Sequence, residues 1–109
     1  MLWASCPLTQ NGAARIIGLN AYPNPRPTAD TLQKLVAVTA HPAHRFWPDD
    51  ISMTDAALFN PAVVISSNQM TDVYLLGLAV SKGGKLVTTD TRILTSAVIG
   101  FQSNHLHVL

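Results

Sequence analysis

The chain has 109 residues, of which seven are Lys or Arg, six are acidic, 48% are apolar and 12% are charged. That length accommodates one ordinary domain, and a charged fraction near half the ~25% of a typical soluble domain excludes intrinsic disorder. The net charge of +1 leaves no basic surplus for neutralising a long nucleic-acid backbone, and so apolar a chain is expected to hide surface in an oligomer or against a partner.

Residues 1–6 (MLWASC) read as a short strand. Ser5-Cys6-Pro7 reads as a helix entry, because proline is tolerated in a first turn, where its missing N–H has no partner to lose. Leu8, Ala13, Ile16, Ile17 and Leu19 then form a helical stripe to about Asn20. Residues 22–27 (YPNPRP) hold three prolines and read as a loop. Residues 28–39 repeat apolar side chains at Leu32, Leu35 and Val36, the spacing of an amphipathic helix. Residues 44–47 read as a strand, and 53–59 as a helical turn or two, with Asp50 or Ser52 as its cap and Asp55 in its first turn.

The clearest helix is 71–82. Thr71 is placed to cap it, Asp72 stands in its first turn, and Val73, Leu76, Ala79 and Val80 line its buried side. Gly83-Gly84 stops it. Residues 85–89 read as a strand, Asp90-Thr91-Arg92 as a turn and 106–109 as a last strand. No window reaches the roughly 18 uninterrupted apolar residues of a membrane helix, and the start lacks the basic region of a secretion signal. The one cysteine, Cys6, excludes an internal disulfide and reads as a small buried hydrophobe. These features together read as a cytoplasmic protein with no membrane association.

All six acids are aspartates: Asp30, Asp49, Asp50, Asp55, Asp72 and Asp90. Aspartate serves caps, turns and metal sites, whereas glutamate is the usual acid of solvated helix faces. Strands separated by helices imply a parallel sheet with helices packed on it. In such sheets the functional crevice lies beyond the carboxyl ends of the strands, where helix N-termini also point. Asp90 directly follows the strand 85–89 and Asp72 opens the clearest helix, so both fall on one rim. Converging aspartates suit a hard cation such as Mg²⁺ or Mn²⁺. Helix-dipole and turn chemistry account for the same two residues without a metal. His41 with His44, and His105 with His107, lack a third ligand at metal-binding spacing and read as surface or partly buried side chains. Arg92 reads as a solvated turn residue or a contact for a phosphate near the rim.

Four segments occur in order: Ser5-Cys6-Pro7-Leu8-Thr9-Gln10-Asn11-Gly12, His44-Arg45-Phe46-Trp47-Pro48-Asp49-Asp50, Thr71-Asp72-Val73-Tyr74-Leu75-Leu76, and Gly83-Gly84-Lys85-Leu86-Val87-Thr88-Thr89-Asp90. Together they resemble the PIN-domain ribonucleases, specifically the VapC-type toxins of toxin–antitoxin pairs. The resemblance implies a PIN-like α/β/α sandwich with a mainly parallel sheet, residues 1–109 forming a single domain. It implies a Mg²⁺- or Mn²⁺-dependent endoribonuclease acting on RNA phosphodiester bonds, with a cognate antitoxin and a homodimer as partners. Asp72 and Asp90 match two of the family's metal-ligating acids. Gln10 falls where the family usually has a glutamate, and is assigned the task of orienting a water or ligand.

The family opens with a strand carrying a further aspartate ligand and about two helices, so the resemblance casts this chain as N-terminally truncated. Activity is accordingly expected to be weak or absent. The alternative is a non-catalytic truncated toxin that binds only its antitoxin or another toxin chain.

Overall fold

The computed structural model describes residues 1–20, 28–63 and 65–109, and the loop expected at 22–27 lies outside them. These residues form two compact units, Met1–Asp49 and Asp50–Leu109.

In the first unit, β1 (Trp3–Ser5) leads into α1 (Pro7–Asn20), followed by α2 (Thr28–Thr39) and β2 (His44–Phe46). The two strands are parallel, with Trp3 opposite His44 and Ser5 opposite Phe46. Helix α1 begins at the expected proline, and its first orphan donors are met from two sides. The Cys6 N–H donates to Thr9 Oγ1 at 2.9 Å, the reciprocal half of a capping arrangement. The Leu8 N–H donates to Asp49 Oδ2 at 3.0 Å, so an acid distant in sequence caps the helix. Cys6 is buried, as expected of a small hydrophobe. Leu8, Ile16, Leu32, Val36 and Val38 of the two helices remain exposed.

In the second unit, a 3₁₀ turn (Ser67–Gln69) runs into α3 (Met70–Ser81), followed by β3 (Leu86–Thr88) and β4 (Leu106–Val108). Strands β3 and β4 are parallel, with Leu86 opposite Leu106. Both units therefore show the parallel α/β organisation of the PIN-like fold, each with one two-stranded pair. Helix α3 buries Val73, Leu76, Gly77, Leu78 and Ala79. Phe59, Ile93, Ala97 and Val98 pack with Val73 and Leu76 in one apolar core. Phe59 is fixed there by a bridge to Val98 and by the Gly77 backbone, where a Cβ would overlap its ring.

The C-terminus of α3 ends at the expected glycines. The Gly84 N–H reaches Ala79 O at 2.8 Å and the Gly83 N–H reaches Val80 O at 3.2 Å. Gly83 takes φ +70, so this is a Schellman stop that a side chain would strain.

Three expectations are corrected. Thr71 does not cap α3: the helix starts one residue earlier, Gln69 is its N-cap, and no side chain closes the cap, because the preceding 3₁₀ turn feeds straight into it. Residues 53–59 form turns rather than a helix. There the Asp55 carboxylate accepts the Ala57 N–H at 2.9 Å, a local bond that competes with the helical ladder. Asp50 consequently caps nothing and pairs instead with Lys82 Nζ at 2.7 Å, while Ser52 Oγ bonds Thr54 Oγ1 at 2.6 Å. Two further 3₁₀ turns, Thr95–Ala97 and Ser103–His105, had no sequence expectation.

Candidate active site

Asp72 and Asp90 meet because α3 and β3 run in opposite directions. The helix descends through 12 residues, about 18 Å at 1.5 Å per residue. The Gly83-Gly84 stop reverses the chain, and β3 climbs back beside α3 with its carboxyl end returning to the start of the helix. Asp72 stands in the first turn of α3, and Asp90 lies just past Thr88, the last residue of β3. Their carboxyl groups lie close enough for each to affect the other's ionisation.

The two acids are unequal. Partial burial, and then the charge of Asp90, push the Asp72 carboxyl above the ordinary carboxylate range. Asp90 is held below that range first by the Arg92 N–H and further by the Arg92 side chain. Asp90 Oδ1 accepts the Arg92 N–H at 2.8 Å, and Arg92 Nε lies 3.3 Å from the same oxygen. The Asp90 N–H is in turn anchored on Thr88 Oγ1 at 3.1 Å. Of the two, Asp72 is therefore the harder to ionise and Asp90 the easier. Arg92 is a turn residue with an exposed side chain, bonded to Asp90.

This geometry can accept a hard cation. Two carboxylates are enough for Mg²⁺, which keeps several waters and is commonly held through one or two carboxylates together with substrate phosphate. A cation beside the pair would also offset the mutual repulsion of the two carboxylates. Among the described residues no cluster of three or more His, Cys, Asp or Glu residues is placed to hold a metal, so waters would complete the coordination.

Gln10 stands on α1 in the first unit. Its Nε2 donates to Ser5 Oγ at 2.9 Å, and Ser5 Oγ lies 2.7 Å from His44 Nε2. The His44 ring packs against Trp3 with centroids 4.4 Å apart. The bond to Ser5 and the packing on Trp3 were not evident in the sequence, because both depend on the register of β1 and β2. Two other histidines serve locally. His41 Nδ1 accepts the Ala43 N–H at 3.0 Å, and His105 Nδ1 accepts the Gln102 N–H at 2.9 Å.

Ribonuclease VapC44 of Mycobacterium tuberculosis (strain H37Rv) is 39% identical to this chain over 107 residues, covering 98% of the chain and 75% of that protein. The chain belongs to the VapC ribonuclease family. Ribonuclease VapC39 of the same strain is 33% identical over 99 residues, covering 90% of this chain and 71% of its own length. Ribonuclease VapC38 is 38% identical over 96 residues, covering 87% and 66% respectively. No family model and no solved structure matches the chain. The family membership agrees with the resemblance read from the four sequence segments and with the α/β organisation of the fold. No helix among the described residues is long and apolar enough to cross a membrane.

Proposed function

We propose that this VapC-family chain is an endoribonuclease toxin that hydrolyses RNA phosphodiester bonds with Mg²⁺ or Mn²⁺ held by Asp72 and Asp90. The observation that carries the reading is the pair itself: two acids from separate elements come close enough to affect each other's ionisation, and Arg92 stands beside them. When bound, the ion supplies an activated water and neutralises charge on the phosphate. The chain's own residues prepare that chemistry. Asp90 is kept ionised by the N–H and guanidinium of Arg92. Asp72, the harder of the two to ionise, would be stabilised as a carboxylate by a cation held between them. Arg92, with its side chain 75% exposed, is available to an RNA phosphate as a positive contact. Gln10, lacking a charge, orients a water or ligand through its amide.

The same reading assigns the chain a cytoplasmic site of action, a cognate antitoxin and a homodimer. The exposed apolar side chains of α1 and α2 are the surface such partners would cover. Titration of the purified chain with Mn²⁺, followed by electron paramagnetic resonance, tests the metal assignment. Bound Mn²⁺ that disappears in Asp72→Asn and in Asp90→Asn supports it. Binding that survives both substitutions overturns it.

A further inference from the structure

An RNA backbone brought to the rim where Asp72 and Asp90 stand would meet two carboxylates, and its phosphate needs a cation there to offset them. The unit Asp50–Leu109 holds three Lys or Arg residues, Lys82, Lys85 and Arg92. Lys82 and Lys85 flank the Gly83-Gly84 stop, at the far ends of α3 and β3 from Asp72 and Asp90. Lys82 Nζ is moreover bonded to Asp50 Oδ2 at 2.7 Å. Among the described residues of this unit, Arg92 is therefore the Lys or Arg that stands at the acidic rim.

Arg92 holds Asp90 unequally through its main chain and its side chain. The backbone N–H reaches Asp90 Oδ1 at 2.8 Å. Nε lies 3.3 Å from the same oxygen, beyond the ~2.7–2.9 Å usual when a cation donates to a carboxylate. The Asp90 backbone is fixed separately, by its N–H on Thr88 Oγ1 at 3.1 Å. The carboxylate thus takes its aim from bonds that do not pass through the guanidinium. The Arg92 side chain, 75% exposed, is only loosely parked there. Nε accounts for a single one of the guanidinium's N–H donors, and the Nη groups make no hydrogen bond to a described residue.

We propose that Arg92 divides its work: its backbone N–H aims the Asp90 carboxylate, and its guanidinium grips an RNA phosphate through the paired Nη groups. The inference rests on the reading of this chain as a ribonuclease, and it assigns the Arg92 side chain to the substrate rather than to the ion. Two N–H groups on one edge of a planar fork match two oxygens of a phosphate. A contact of this kind fixes the register of a strand without reading its bases. The guanidinium can turn from Asp90 to the phosphate at little cost, because the bond it leaves is long and exposed. Asp90 then loses a positive neighbour but keeps its position, so it should hold a cation at least as well.

The test measures Mn²⁺ and RNA separately on the full chain, with Arg92→Ala and Arg92→Lys. Electron paramagnetic resonance follows a Mn²⁺ titration. Fluorescence anisotropy of a labelled single-stranded RNA in EDTA, over a series of salt concentrations, reads the phosphate grip without turnover. Arg92→Ala should bind Mn²⁺ as tightly as the wild type or tighter. Its RNA affinity should fall about tenfold, alike for RNAs of different sequence, and its salt slope should shrink by about 0.7, the share of one single-strand phosphate contact. Arg92→Lys keeps the charge without the fork, and should keep the slope while recovering part of the affinity. Mn²⁺ binding lost in Arg92→Ala overturns the proposal, because the guanidinium is then what holds the carboxylate. RNA affinity in Arg92→Ala equal to that of the wild type overturns it too, as does a wild-type chain that binds no RNA. A wild-type chain that binds RNA but no Mn²⁺ defeats the metal reading instead, and the RNA measurements then decide the role of the guanidinium by themselves.

Discussion

Asp72 and Asp90 are close neighbours in opposite electrostatic settings, Asp72 partly buried and facing a negative charge, Asp90 bonded to Arg92. The neighbour relation makes Asp72 the harder of the two to ionise. Its consequences can be measured in stability, in metal binding and in catalysis.

The first concerns pH. The Asp72 carboxyl is raised in the fold above its ordinary value of 3.8, so the folded state binds a proton that the unfolded chain releases. The stability this gives is full below the unfolded value and is lost as pH rises through the folded one. Asp72→Asn should therefore be more stable than the wild type near neutral pH and should lack that loss. The gain is less than about 1 kcal/mol, because both carboxyls remain partly solvated. Thermal unfolding followed across the acid range checks this. An Asp72→Asn variant less stable than the wild type at neutral pH contradicts it.

The second concerns divalent cations. An ion held by the two carboxylates should stabilise the fold, by about 1.4 kcal/mol at a concentration ten times its Kd. Differential scanning fluorimetry with and without Mn²⁺ should show a rise in Tm for the wild type and little for Asp72→Asn. An equal rise in both would place the ion elsewhere.

The third concerns packing. A Cβ at Gly77 would meet the Phe59 ring, so Gly77→Ala should destabilise by about 1–3 kcal/mol, more than the helix propensity it gains. Gly12, also helical, has nothing near its absent Cβ, and Gly12→Ala should stabilise by about 0.5–1 kcal/mol. Urea denaturation of the two variants should show opposite shifts in midpoint.

Much of this arrangement was legible in the sequence, and for physical reasons. The helix over 70–81 announces itself by an acid in its first turn, a continuous apolar face and a double-glycine stop, and the strand after it must return alongside. That return alone places Asp90 near Asp72. The local competition at 53–59 was not legible, since Asp55 serves a helix's first turn and a tight turn equally well, and the bridge from Phe59 to Val98 favours the turn. The bond between Ser5 and His44 joins residues 39 apart. It depends on strand register, which a single sequence with three-residue strands does not fix. The Asp49 cap on α1 was hidden for the same reason.

The central claim, that Asp72 and Asp90 form the working core of a ribonuclease, is tested most directly by incubating the purified chain with a mixed RNA pool and Mn²⁺ beside Asp72→Asn and Asp90→Asn. The account predicts cleavage by the wild type and a loss of at least about 100-fold in each variant, the scale of an interaction made in the transition state. A folded wild-type chain that leaves the RNA intact, or variants that cut as fast as the parent, would contradict it.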